Sequence, residues 1–156
     1  MLLKWRLKKE VFTIKGKLLT FYLNNQLYGI DITAVKEINR NIDYTIVPGA
    51  PQHIIGLFNM RGQIVTLFDL SGMLGYKRVY ENKKASCIIL KNTPAEPDYT
   101  GFLIAYPGSV VDVNEDMCEP PPANAKNIDN NYITEVVKIP GELITVINKQ
   151  AILNDI

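Results

Sequence analysis

The sequence predicts a mostly β protein with a few short helices, built as small barrels or sandwiches, and two barrels of about five strands each would fit the length. Three observations lead there. Short apolar runs recur along the whole chain, roughly nine or ten of them, each bounded by Gly, Pro, Asn or Asp. Segments with helical spacing are only about one to three turns long. The length of 156 residues suits one domain, or two small half-domains sharing a boundary.

Residues 1–17 read as a basic leader, with Lys4, Arg6, Lys8, Lys9, Lys15 and Lys17 against Glu10. Its apolar residues are interleaved with charge and no apolar core region follows, which argues against a signal peptide. Two readings stay open: contact with an anionic membrane surface, at about 1 kcal/mol per basic residue, or a frayed, loosely docked end. Residues 18–23 and 27–30 are short apolar runs joined by Asn24-Asn25-Gln26, so they read as strand, turn, strand. Asp31 is placed to cap a short helix with Ile32, Val35 and Ile38 on one face and Lys36, Glu37 and Arg40 elsewhere. Asn39-Arg40-Asn41 would end it.

A brief strand at 45–47 is stopped by Pro48. Pro51 suits the first turn of a one-turn helix over 52–55, which Gly56 would close. Residues 57–60 and 64–68 then flank the tight Arg61-Gly62 step and predict a β-hairpin. Asp69 caps another short helix over 70–74, closed by Gly75. Residues 76–85 are rich in Lys, Arg and Tyr with little apolar periodicity, and the join between the two halves is expected there.

The second half repeats the pattern of short strands, at 86–90, 101–105 and 110–113. An acidic loop over 115–119 runs into Pro120-Pro121-Pro122 and an Asn-rich stretch, none of which suits a sheet interior. Residues 132–139, the Pro140-Gly141 turn and residues 143–147 form a second hairpin. Asn148 caps a terminal helix whose apolar positions are Ala151, Ile152 and Ile156. These readings divide the chain into the leader 1–17, a first barrel over about 18–80, a second over about 85–147, and a short helix over 148–156.

Composition narrows the function. The apolar fraction is 47%, the charged fraction 21% and the net charge +1, so the whole molecule has no global attraction for nucleic acid or anionic membranes. No apolar run approaches the roughly 20 residues that span a bilayer, so direct membrane insertion is not expected. Cys87 sits in an apolar run and reads as a core filler. Cys118 lies in the acidic loop, where negative neighbours would blunt its reactivity. A reducing cytoplasm fits this usage. His53 is the single histidine and reads as a surface or half-buried helix residue. Gly72-Met73-Leu74-Gly75 lacks the Lys-Ser/Thr of a phosphate loop. Asp112, Glu115, Asp116 and Glu119 follow the order of no EF-hand loop. No catalytic residues, metal site or cofactor site is therefore expected, and the chain reads as no enzyme.

What remains is a recognition element. Arg61 stands at the hairpin tip on a backbone committed to a sheet on both sides, and Glu37 lies on the polar side of the short helix. If helix and hairpin pack together, the two charges meet at the surface. That is either an ordinary exposed ion pair or a fixed charged patch that selects a partner's polar groups.

These residues resemble a known family. Phe21-Tyr-Leu, Leu27-Tyr-Gly-Ile-Asp-Ile, Val35-Lys-Glu-Ile, Val47-Pro, Ile55-Gly-Leu-Phe-Asn-Met-Arg-Gly and Phe68-Asp-Leu are similar, in order and spacing, to the CheW-like adaptor domains of bacterial chemotaxis. The match covers about residues 18–75, and its Gly56-to-Gly62 core is fairly specific. The resemblance implies two five-stranded SH3-like barrels with a hydrophobic seam, no catalysis and no cofactor. It further implies binding to a chemoreceptor cytoplasmic tip and to the regulatory domain of a CheA-type histidine kinase, in arrays beneath the inner membrane. Carried onto this chain, the receptor-facing residues are Val35, Glu37, Gly56, Arg61 and Gly62, near the inter-barrel groove, and the kinase-facing residues are Asn39, Arg40 and Tyr44.

The second half departs from the family pattern. Pro107-Gly108 follows Leu103-Ile-Ala-Tyr106 where a Val-Asp is usual, and Glu135 stands where a glycine is expected. Asn148 replaces an aspartate, and Thr66 replaces a proline often found after Arg-Gly. A divergent adaptor serving another two-component pathway, such as surface motility or biofilm control, is the alternative reading. A small enzyme with its site in the inter-barrel groove is a third, and it needs a convergent pair of titratable groups there.

Overall fold

The computed structural model describes residues 16–77, 84–121 and 131–156, with the side chain of Lys84 left aside. The expectations for residues 1–15, for most of the join and for the Asn-rich stretch lie outside the described residues. The elements in order are β1 (Gly16–Leu23), β2 (Gln26–Asp31), β3 (Val35–Asp43), β4 (Thr45–Ile46), β5 (Ile54–Met60), β6 (Gln63–Phe68) and α1 (Leu70–Met73). After the join come β7 (Lys84–Leu90), β8 (Tyr99–Ile104), β9 (Tyr106–Val113), β10 (Cys118–Glu119), β11 (Ile133–Ile139), β12 (Glu142–Ile147) and α2 (Lys149–Asn154). Among the described residues, three-residue 3₁₀ turns at Ile32–Ala34 and Glu115–Met117 complete the set.

The strands form two sheets, ordered β10-β11-β12-β2-β1-β9 and β3-β7-β8-β6-β5-β4. Both must curl. In the second sheet, β3 and β4 stand at opposite ends of the order, yet Tyr44 alone links them in the chain. Consecutive Cα atoms are about 3.8 Å apart, so the sheet has to bend round until its ends meet. In the first sheet β9 and β10 are likewise the two ends, joined by Asn114 and the 3₁₀ turn. Each sheet therefore has five long strands and one two-residue strand, in keeping with the expected mostly β, two-barrel architecture. We call them the terminal barrel (β1, β2, β9–β12) and the central barrel (β3–β8).

The barrels are not successive halves of the chain, as the split at about 80–85 had them. Residues 16–77 and 84–156 are instead two copies of one series: six strands and a capped helix. Each copy gives its first hairpin to the barrel built on the other copy's last four strands. The registers correspond in detail. The Arg61-Gly62 turn joins Met60↔Gln63 as Pro140-Gly141 joins Ile139↔Glu142. A bulge between Ile54 and Gly56 matches one between Ile133 and Glu135. The parallel pairing of β6 with β8 matches that of β12 with β2. Asp69 caps α1 by accepting from the Gly72 backbone N–H, and Asn148 caps α2 by accepting from that of Ala151.

Alternation along the strands sorts the apolar residues into three clusters. Val65, Leu67, Cys87 and Ile89 fill the central barrel with Ile42, Ile55, Phe58 and Met60. Leu18, Val137, Ile144 and Val146 fill the terminal barrel with Leu27, Val113 and Cys118. Their strand neighbours on the opposite face, among them Leu19, Phe21, Phe68, Ile88 and Phe102, form a seam between the barrels that Leu70, Met73 and Ile152 of the helices join. A side-chain period of two puts successive residues on opposite faces, so one strand serves both a barrel core and the seam.

Several local expectations are corrected. The helix expected from Ile32, Val35 and Ile38 is instead a 3₁₀ turn at Ile32–Ala34 followed by β3, which carries Val35 and Ile38. Register shifts between Val35 and Glu37 and between Asn39 and Ile42 mark bulges, each inserting a residue, which turns a period of two into three or four. Asp31 does cap a turn, accepting from the Thr33 N–H, but this is a single 3₁₀ turn. In place of the one-turn helix expected over 52–55, Gln52 and His53 form a turn, closed by a 2.9 Å bond from the Ile54 N–H to the Pro51 carbonyl, and Ile54 and Ile55 already belong to β5. His53 is thus a half-buried turn residue and Gly56 a strand residue. β9 begins at Tyr106 and runs through Pro107, which an end strand tolerates because it needs no donor on its outer side.

Candidate functional site

All eight residues singled out from the sequence lie on the central barrel or its links. Val35, Glu37, Asn39 and Arg40 follow one another along β3, Tyr44 connects β3 to β4, Gly56 lies on β5, and Arg61 and Gly62 make the β5–β6 turn. The structure brings Glu37 and Arg61 into contact. Arg61 donates from Nη2 to Glu37 Oε1 at 2.5 Å, with the arginine side chain 68% exposed and the glutamate 26%. That hydrogen bond, and then the glutamate's charge, raise the Arg61 pKa above its ordinary value. The pair spans the barrel closure, since β3 is at one end of the strand order and the β5–β6 hairpin near the other.

The turn is built to hold Arg61 out. Arg61 has φ 51° and Gly62 φ 87°, the two left-handed positions of a tight hairpin turn. The Gly62 N–H donates to Asn59 Oδ1 at 2.7 Å, which fixes the turn from inside. A left-handed arginine is conformationally disfavoured where glycine or asparagine would be at ease. The same turn in the terminal barrel holds Pro140-Gly141, with positive φ at Gly141. Glu37 also has a counterpart. Ile38 pairs with Ile88 one residue beyond the β3 bulge, as Val110 pairs with Leu19 beyond the β9 bulge, so Ser109 occupies the position of Glu37. The fold therefore closes its other barrel with Ser109 and Pro140 at these two places, and architecture alone does not call for the charges.

The remaining residues divide by role. Gly56 is buried and presents no side chain: a Cβ there would lie 2.1 Å from the Thr45 carbonyl oxygen, so its absence lets β4 lie against β5. Its repeat counterpart, Glu135, is buried. Val35 packs onto the inter-barrel seam. Asn39 pairs with Cys87 across the β3–β7 ladder. Arg40 is exposed in the second bulge, beside Asn41 at φ 57°. Tyr44 packs against the central core, and burial pushes its phenol pKa up. Val35 and Glu37 of one expected set thus adjoin Asn39 and Arg40 of the other along β3.

Sequence reasoning missed part of this surface. Ile64, three residues past Arg61, is 56% exposed, and Ile46 on β4 is 58% exposed. Alternation from the buried Val65 would have turned Ile64 outward. Lys36 lies 5.2 Å above the Tyr99 ring, an added cation on the same barrel.

Elsewhere, Cys87 is a core residue as expected, and burial pushes its thiol up to about 12. Cys118 is also buried, in the terminal core, rather than in a solvated loop; its thiol donates to the Asn114 carbonyl at 3.5 Å. The acidic run is dispersed. Asp112 pairs with Lys17 at 2.6 Å and Glu119 with Lys138 at 2.9 Å. Among the described residues, no His, Cys, Asp and Glu side chains group to hold a metal ion. No helix among them is long and apolar enough to cross a membrane. A groove between the β1–β2 and β11–β12 turns is lined by Tyr22, Gln26, Lys138, Glu142 and Leu143, on the barrel that does not carry the eight residues. There burial, and next the Glu142 carboxylate, raise the Tyr22 phenol pKa.

The wider comparison agrees with the architecture. A family model described as the CheW-like domain matches residues 17–156. The chain is 27% identical over 138 residues to the chemotaxis protein CheW of Bacillus subtilis, covering 88% of this chain and 86% of that protein. It is 30% identical over 126 residues to the chemotaxis protein CheW of Treponema pallidum, covering 78% and 72%. Among solved structures, the scaffolding protein TtCheW from Thermoanaerobacter tengcongensis superposes with a TM-score of 0.72 at 27% identity, covering 86% of this chain and 90% of that one. A two-barrel body of this topology, matched along nearly its whole described length, belongs to the family of CheW-like domains.

Proposed function

We propose that this protein is a non-catalytic adaptor that couples the cytoplasmic tip of a methyl-accepting chemoreceptor to the regulatory domain of a CheA-type histidine kinase in bacterial chemotaxis. The observation that carries the reading is the Glu37–Arg61 pair: a surface charge pair, held by a left-handed arginine, at positions the sister barrel fills with Ser109 and Pro140. A feature that the fold does without, and that has a conformational cost, belongs to recognition.

In this reading Val35, Glu37, Arg61 and Gly62 face the receptor, with Gly56 setting the strand spacing beneath them. Asn39, Arg40 and Tyr44 face the kinase domain. Ile46 and Ile64 supply apolar contact area, and the charge pair sets register and partner choice. The work of such a protein is done in the cytoplasm, at receptor arrays beneath the inner membrane.

Arg61→Ala tests it. The variant keeps the circular dichroism and unfolding midpoint of the parent, because the arginine is exposed and Gly62 still turns the chain. In pull-downs with a receptor tip fragment and the kinase regulatory domain, separately and together, receptor capture weakens and receptor-dependent kinase control falls. Unchanged capture of both partners by the folded variant would sink the assignment.

A further inference from the structure

Neither copy of the repeated series can complete a hydrophobic cluster alone. The central core needs Cys87 and Ile89 from residues 84–156 beside Val65 and Leu67 from residues 16–77. The terminal core needs Leu18 and Leu27 from the first copy beside Ile144 and Val146 from the second. The seam draws on both. Four strand pairings join the copies: β1 with β9, β2 with β12, β3 with β7, and β6 with β8. All four are non-covalent, and the covalent link between the copies is the segment 78–83. The molecule is built like a heterodimer of two interlocked halves that happen to share one chain.

We propose that this chain exchanges halves with a second copy of itself: residues 16–77 of each chain assemble with residues 84–156 of the other. The product is a dimer of two complete two-barrel bodies. Every contact within each body is reproduced in the exchanged form, so no additional surface is required. Link length then sets the balance. A short tether holds its two halves at an effective concentration on the order of millimolar, which favours the single-chain form at ordinary protein concentrations. Shortening the tether removes that advantage and leaves exchange as the way to satisfy all three clusters. The exchanged dimer carries two Glu37–Arg61 pairs on one assembly and is bivalent, where the single-chain form is monovalent.

Two full-length variants test the proposal. Val65→Asp damages the first half and Ile144→Asp the second; both side chains are fully buried at equivalent places in the two halves. The variants carry different affinity tags and are unfolded together in urea, mixed and refolded. Exchange gives a 1:1 mixed dimer of twice the chain mass, because one of its bodies combines two undamaged halves. That dimer shows a thermal transition that neither variant shows when refolded alone. Recovery of no mixed dimer overturns the proposal. A second measurement uses the otherwise unchanged chain with residues 79–82 deleted. It is expected to be a dimer by light scattering, with the parent's circular dichroism, and a folded monomer overturns the proposal.

Discussion

Replacing Phe102 by alanine tests whether the two barrels unfold as one body. The ring is fully buried in the seam, 5.2 Å from Phe21 and 5.5 Å from Phe68 between centroids. Those three rings come from β8, β1 and β6, so the cavity left behind opens against both barrels. A buried Phe→Ala change costs about 3–5 kcal/mol, of which each ring–ring contact accounts for roughly 0.5–1.5 kcal/mol. With a urea dependence of about 2 kcal/mol per molar, the midpoint falls by about 2 M. The assay is urea unfolding of the full chain, followed by tyrosine fluorescence and far-ultraviolet circular dichroism. Interlocked barrels predict a single coincident transition that moves without splitting. A loss below about 1 kcal/mol, or two separated transitions, would refute the account of the seam as shared core.

Three further outcomes are expected. Gly56→Ala forces a methyl group against the Thr45 backbone, which cannot rotate away; it costs about 1–3 kcal/mol and speeds amide exchange in β4, and parent-like exchange there would count against the close-approach reading. Asn148→Ala removes the cap of α2, whose Ile152 enters the seam, and lowers stability by about 0.5–2 kcal/mol in thermal melts, whereas an unchanged melting point contradicts the cap's role. Cys87 titrates near 12 when folded against 9.0 for an ordinary thiol, so above about pH 9 the unfolded chain gives up a proton that the folded chain keeps. Stability therefore falls by about 1.4 kcal/mol per pH unit from there towards 12, and Cys87→Ala removes that share of the slope. An alkaline slope unaffected by the substitution would show that the thiol is not the group responsible.

Much of the fold was legible because local chemistry and tertiary structure agree. The tight turns at Asn24-Asn25, Arg61-Gly62 and Pro140-Gly141 have the left-handed residues their position demands. The caps Asp69 and Asn148 act where they were read. What failed was periodicity across β3. A bulge between Val35 and Glu37 spaced Val35 and Ile38 as a helix would, and a bulge is set by pairing with β7, some fifty residues away in sequence, rather than by its own residues. The exchange of hairpins between barrels was hidden for the same reason: hydrophobic alternation shows that a strand has two faces and not which sheet it joins. The Glu37–Arg61 contact, expected only if a short helix packed beside the hairpin, forms with Glu37 on β3, because barrel closure brings that strand to the β5–β6 turn. Cys118 was misread because an acidic neighbourhood in sequence does not reveal that the residue's own side chain turns inward.

The order in which strands leave the ribosome gives the interlocked topology a further consequence. The central barrel has all its strands once Ile104 has been made, so the surface carrying Glu37 and Arg61 is assembled early. The hairpin β1–β2 is synthesised before anything else described here, yet its last partner, β12, ends at Ile147. At roughly 5–20 residues per second, Leu18 and Leu27 wait many seconds for Ile144 and Val146, their neighbours in the terminal core. During that interval the nascent chain holds all strands of the central barrel beside a hairpin whose terminal-core face is still uncovered. Chaperone demand in this protein should therefore concentrate at its first two strands, not its last.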